Sequence, residues 1–200
     1  LILEEFDKLL SPKTKLVVLN SPSNLTGMNY TFDELEAIAE VLRRHQTVYV
    51  ASDDMYEPIR WSGPFYNIVN VAPDLYDRTL VLNGVSKAYA MTGWRIGYAA
   101  GPAKIIGAMK KVQSQSTSNP TSISQVAAEA ALNGPQDVLE PMIEAFKRRH
   151  DLVVNGLNAI KGISCLDADG AFYAYPSVRP LIRALGLNSC TEFSDWLLDK

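Results

Sequence analysis

The sequence predicts an α/β fold: a mostly parallel sheet covered by helices, followed by the beginning of a smaller α+β domain. Three observations carry this. Short β-type runs alternate with helical patterns along most of the chain. Those runs are continuously apolar rather than strictly alternating, as strands buried on both faces require. After Gly162 the pattern shifts from a long helix to two closely spaced β-type runs. The composition suits such a fold, with 47% hydrophobic and 20% charged residues over 200 positions, which excludes a disordered or collagen-like chain. Nineteen Lys and Arg against 22 Asp and Glu give a net charge of −3 without a block of like charge, so nothing marks a nucleic-acid or polybasic membrane binder. No apolar stretch approaches the roughly 18 residues of a spanning helix. Cys165 and Cys190 stand alone, without a CxxC or a nearby His, so no metal site or disulfide framework is expected and a cytoplasmic setting is.

Taken in order, the chain opens at Leu1 inside a helix-like run and stops at Lys200 inside another amphipathic segment, which predicts a piece of a longer protein and leaves a targeting segment open. Candidate strands are Leu16 to Leu19, Val48 to Ala51, Thr79 to Leu82 and Ile96 to Ala100. Between the first two, Thr31 and Glu34 fit a capping box, and Phe32, Leu35, Ile38, Ala39 and Leu42 recur at helical spacing, predicting a crossover helix. Helices follow over Ala103 to Gln113 and Ser122 to Leu132, broken at Asn133-Gly134-Pro135. A long helix from about Pro141 to Ile160 carries the stripe Ile143, Phe146, Val153, Leu157 and Ile160, with Pro141 at its start or at a kink and Gly162 as its stop. Ile163 to Leu166 and Ala171 to Tyr175 predict a strand pair. The domain division is therefore 1–160, a large domain including the long helix, and 161–200, the start of a small one.

Chemistry in an open α/β sheet belongs outside the carboxyl ends of the strands, where four clusters fall: Asn20 to Gly27, Ser52 to Glu57, Asn83 to Lys87, and Thr92 to Gly97. Each alone has an ordinary explanation. Asn-rich loops form turns, an Asp after a strand caps a helix, and a single Lys or Arg is a solvated charge. His45 and His150 read as packing or surface groups, and Trp94, Tyr89 and Tyr98 as residues packing the sheet. Trp61, in a Gly-Pro loop, suits a wall or a subunit contact.

In this order the four clusters resemble the fold-type I pyridoxal-phosphate enzymes, most closely the class I aminotransferases of the bacterial aspartate aminotransferase subgroup. The matching stretches are Asn20-Ser21-Pro22-Ser23-Asn24-Leu25-Thr26-Gly27, Ser52-Asp53-Asp54-Met55-Tyr56, Ser86-Lys87, and Gly93-Trp94-Arg95-Ile96-Gly97, with Gly170-Ala171-Phe172-Tyr173 resembling the family's small-domain strand. The resemblance implies that Lys87 holds pyridoxal 5'-phosphate as a Schiff base and then shuttles the proton at the substrate Cα, for which its amine must be neutral. It implies that Asp53 pairs with the pyridine nitrogen. Asn24 and Tyr56 would hydrogen-bond the phenolic oxygen, Arg95 would grip the phosphate with help from Ser86, and Asn24 would also touch the substrate carboxylate.

The implied reaction is amino transfer between an amino acid, aspartate-like or neutral or aromatic, and a 2-oxo acid, in a homodimer with sites at the subunit interface. Three departures stand out. Leu25 replaces the family's Pro, so that a cis bond there would cost roughly 2.5–4 kcal/mol. Asp54 replaces a Glu. The ring-stacking aromatic, the upstream phosphate loop and the carboxylate-clamping arginine lie outside residues 1–200. Alternatives within the fold are a carbon–sulfur lyase or a cyclopropane-forming synthase. Outside it stand a ligand-sensing domain of a transcription regulator and a noncatalytic assembly fragment.

Overall fold

A computed structural model describes residues 1–200. Its strands are β1 (Leu16–Asn20), β2 (Tyr49–Asp53), β3 (Thr79–Gly84) and β4 (Gly97–Ala100), in the order β1-β2-β3-β4. The first two pairings are parallel and β3–β4 is antiparallel. Its helices are α1 (Leu3–Leu9), α2 (Phe32–Arg44), α3 (Ile68–Val71), α4 (Ala103–Ser114), α5 (Ser122–Asn133), α6 (Glu140–Asn158), α7 (Arg179–Ala184) and α8 (Cys190–Leu198). The three parallel-side strands run on past the expected apolar runs to Asn20, Asp53 and Gly84, so β1 and β2 each end on a polar side chain. Asn20 and Asp53 are register partners there.

The crossover helix forms as the sequence dictates. Thr31 accepts the Glu34 N–H, and the Glu34 carboxylate accepts the Thr31 N–H at 2.9 Å, which holds that carboxyl below its ordinary range. Asp33 and Glu34 in the first turn and Arg43 and Arg44 in the last complement the helix dipole. Leu35, Ile38, Ala39, Val41 and Leu42 are buried, and four of them join Leu19, Val48, Val50, Ile68 and Leu75 in an eleven-residue core. Arg78 closes the far end of α2 by donating to the carbonyls of Leu42, His45 and Val48 at 2.7–2.9 Å, satisfying groups a helix end leaves open. His45 is a packing group that meets Asp7 of α1 at 2.8 Å.

Several expectations need correction. The sheet is mixed and helix-covered, as expected of the fold, but its coverage is one-sided at β1 and β2: Leu16, Val18 and Tyr49 are 52%, 60% and 48% exposed, because the buried core lies against the other face. Trp94 and Tyr98 are likewise exposed rather than packed on the sheet, whereas half-buried Tyr89 packs beside Val85 and donates to Gln136 at 2.7 Å. On α6, Pro141 lies in the first turn and starts the helix. The buried ridge is His150 and Val154; Val153 faces outward, and Ile160 lies beyond the helix end. Gly162, at φ +92°, sits in the turn that follows. The expected strand pair does not form. Ser164 pairs in a single bridge with Ser177, and Gly170 with Arg60, because the backbone between them bonds to loops of the large sheet instead.

Candidate active site

The carboxyl ends of β1, β2 and β3 set the site. At the end of β1, the Asn20 side chain accepts the Asn24 N–H at 2.5 Å and donates to the Asp53 carbonyl at 3.0 Å, so one amide fixes the Asn24 loop to the β2 terminus. Ser21 Oγ donates to Asn29 at 2.8 Å and accepts the Tyr30 N–H, closing the loop from inside. The cis bond of the chain is Ser21–Pro22, not Asn24–Leu25. Leu25 instead carries a φ of 135° with its side chain in solvent, a backbone state L residues rarely adopt. Asn24 is exposed.

Asp53 ends β2 half-buried, its carboxylate accepting the Met55 N–H at 3.3 Å. The turn behind it is anchored by Asp54, which is 3% exposed and accepts from Ser52 Oγ at 2.7 Å and from the Asn67 amide. Burial pushes the Asp54 carboxyl up to about 6, against the lowering effect of those two hydrogen bonds. That turn delivers Tyr56, which is 2% exposed, with its phenol 2.5 Å from the phenol of Tyr173. Burial above all, with the Asp53 carboxylate nearby, pushes the Tyr56 phenol well above its ordinary value.

Beyond β3, Asn83 donates to Glu57 at 2.9 Å and Ser86 and Lys87 follow in a turn. Lys87 Nζ lies 6.0 Å from the Tyr56 ring centroid and 5.7 Å from that of Phe172. Ser86 is half-buried beside it. Arg95 follows the short turn Thr92–Trp94 in a left-handed conformation, φ 56°. It is exposed and donates to the Thr92 carbonyl at 3.0 Å, which occupies one of five N–H donors.

The structure thus brings Lys87 and Tyr56 together directly and joins Asn24 to Asp53 through Asn20. Arg95 and Ser86 share the same edge without contacting them. Sequence reasoning missed the roles of Asn20, Phe172 and Tyr173. Asn20 stands in the first cluster and the other two in the Gly170-Ala171-Phe172-Tyr173 motif, but no local pattern says what they touch. They arrive because residues 168–171 dock on the sheet loops. Asp169 and Gly170 donate to the Gly27 carbonyl at 3.0 Å, Asp169 accepts from the N–H groups of Asn29, Trp61 and Ser62, and Ala171 donates to Ile59 at 2.7 Å. Trp61 Nε1 donates to the Ala168 carbonyl, and buried His150 accepts the Ala168 N–H at 3.0 Å, so both are structural supports of this junction.

The donor set is one amine, one carboxylate, one phenol and one guanidinium along a single sheet edge. It matches the electrophilic carbon, basic ring nitrogen, phenolic oxygen and phosphate of pyridoxal phosphate.

The family pattern described as aminotransferase class I and II matches residues 1–200. This chain belongs to that family. Among relatives of the family, an aspartate/prephenate aminotransferase of Nitrosomonas europaea is 53% identical over 98% of this chain and 51% of its own length. An aspartate aminotransferase of Rhizobium meliloti is 54% identical over 98% and 49%. Solved aminotransferase structures superpose closely. The aspartate aminotransferase of Rhizobium meliloti gives a TM-score of 0.87 at 52% identity, covering 89% of this chain and 45% of that one. An aromatic aminotransferase of Pyrococcus horikoshii gives 0.89 at 36% identity, covering 99% and 52%. The chain spans about half the length of the curated relatives it matches, and no helix in it is long and apolar enough to cross a membrane.

Proposed function

We propose that the protein is a pyridoxal-phosphate-dependent aminotransferase that moves the amino group of a dicarboxylic or aromatic amino acid to a 2-oxo acid. The observation that carries this reading is the position of Lys87, whose amine lies 6.0 Å over the centroid of the buried Tyr56 ring, on the edge that also bears Asp53. Relatives named for aspartate, prephenate and aromatic substrates support the substrate class. When bound, pyridoxal phosphate supplies a carbonyl carbon for amines and a ring that accepts electrons from the substrate Cα.

The chain's own residues do the rest. Lys87 Nζ would hold the cofactor's carbonyl carbon and would serve as the base for the proton at the substrate Cα. The Asp53 carboxylate holds a proton on the ring nitrogen. The Tyr56 O–H donates to the phenolic oxygen, and the Asn24 amide does the same while contacting the substrate carboxylate. Arg95 offers its remaining N–H donors to the phosphate, with the Ser86 hydroxyl beside it. We further infer the 1–160 and 161–200 division, a homodimer and a cytoplasmic setting, the last suited to the two isolated cysteines.

Borohydride reduction of the full-length protein with pyridoxal phosphate, followed by peptide mapping, tests the reading. The added mass falls on Lys87, is absent in Lys87→Ala, and amino transfer in that variant drops by about 10²–10⁴-fold or more. Label scattered over surface lysines would sink it.

A further inference from the structure

Phe172 and Tyr173 come from the far end of the chain, yet both pack on the site. Their rings meet the Tyr56 ring at 5.4 and 5.6 Å between centroids, each nearly edge-on at 77° and 74°. The phenols of Tyr56 and Tyr173 are 2.5 Å apart, a hydrogen bond in which either can donate. Tyr56 itself is almost fully buried and Tyr173 half-buried. The contact is not incidental to a loose loop, because Gly170 and Ala171 pin the preceding backbone to Arg60 and Ile59.

Resting on the proposed function, we propose that Tyr173 is a positioning residue for the cofactor: its phenol donates to Tyr56 Oη, so that the Tyr56 proton points toward the cofactor's phenolic oxygen. The direction follows from counting protons. A phenol has one to give, and if Tyr56 gave its own to Tyr173 it would have none for the cofactor. With Tyr173 as donor, the Tyr56 oxygen is polarised by an accepted bond and its O–H becomes the stronger donor, as in other hydrogen-bond chains. The edge-on ring contacts restrict rotation of Tyr56, so orientation is fixed as well as strength. The titratable groups near the Tyr56 phenol are Tyr173 and Asp53, with the Lys87 amine over the ring itself. A donor to the phenolic oxygen favours its anionic form, so a weaker donor raises the pH at which the bound cofactor's visible band changes.

The test is a pH titration of that band in the pyridoxal-phosphate-loaded full-length protein, for wild type, Tyr173→Phe, Tyr56→Phe and the double variant. Phenylalanine keeps the ring contacts, and the thermal midpoint of each variant checks that packing is intact. Tyr173→Phe is expected to move the spectral midpoint upward by about 10–30% of the shift produced by Tyr56→Phe. In the Tyr56→Phe background it moves nothing, because there is no phenol left to polarise. A purely structural role would act equally in both backgrounds, and that additivity, or no movement in Tyr173→Phe, overturns the proposal. Borohydride mapping of the same samples separates the two levels: adduct on Lys87 with an unmoved midpoint removes only the role of Tyr173, whereas adduct elsewhere removes the cofactor reading and this inference with it.

Discussion

Residues 16–84 enclose eleven buried side chains between one sheet face, α2 and α3, while the five helices of residues 103–198 bury only Ala128, His150, Val154 and Phe193 among them. Apolar residues are present in both regions. In the second they stand in solvent, as Val112, Ile123, Val126 and Leu198 do at 65–83% exposure. The sheet region therefore carries its own hydrophobic stabilisation, and the helical region contributes to the site mainly through the segment 168–173, which is held by backbone hydrogen bonds and by the small cluster in which Ala171 packs on Tyr56, Ile59 and Ala88. Asn24, Asp53 and Tyr56 sit in the dense region and Ser86, Lys87 and Arg95 just beyond it, while Phe172 and Tyr173, which pack on Tyr56, come from the sparse one.

The sharpest test of that contrast is a pair of truncations. Leu42→Ala, at a fully buried position, should cost about 2–5 kcal/mol in urea unfolding. If it proved cheap, the idea of a self-sufficient sheet core would fail. At the junction, a Cβ on Gly170 would run into the Ile59 carbonyl and the Arg60 backbone, so Gly170→Ala should release segment 168–173 at a cost of roughly 1–3 kcal/mol. New proteolytic cuts in that segment would report the release, and an unchanged digestion pattern would count against docking by backbone contact. Within the dense region, Asp54 titrates the core. Its folded value of about 6 lies above the reference 3.8, so the native state binds the extra proton, and stability is fully present below pH 4 and declines by about 3 kcal/mol as pH rises to 6 and beyond. Asp7, Asp74 and Asp151 are shifted downward by their cationic partners and act below pH 4, outside this window. Asp54→Asn should flatten the decline between pH 4 and 6; a slope equal to wild type would show that Asp54 is not its source. Smallest of all, Val112→Ser on exposed α4 should stay within about 0.5 kcal/mol of wild type, and a larger loss would mean that this face is covered in solution.

The same division governs what can be read from the sequence. The parallel strands and α2 are legible because their determinants are local: apolar runs, a capping box at Thr31 and Glu34, and a repeat of three and four residues. Asp53, Tyr56 and Lys87 are legible as an ordered pattern at strand ends. Tyr173 and Asp169 are not, since their partners lie 117 and 140 residues away and no periodicity encodes them. Ile163 to Leu166 and Ala171 to Tyr175 look like a strand pair because both runs are mostly apolar and the second is rich in aromatics, but strand propensity reflects a surface to pair with, and here Gly27 and Ile59 offer the nearer backbone partners. The burial of Val154 rather than Val153 is illegible for a related reason, as the helix ridge is chosen by what docks on it.

The junction at Asp169 also has a kinetic consequence. Bringing Asn20 against Asp53 closes a loop of 33 residues, whereas joining Asn29 to Asp169 closes 140. By loop-closure entropy the longer closure costs about 1 kcal/mol more, with few buried contacts along the intervening helices to offset it. The sheet and its crossover helix can therefore form early in folding, and the wall bearing Phe172 and Tyr173 closes late, so that a chain still emerging from synthesis holds the strand ends in place before it holds the aromatic wall that packs on Tyr56.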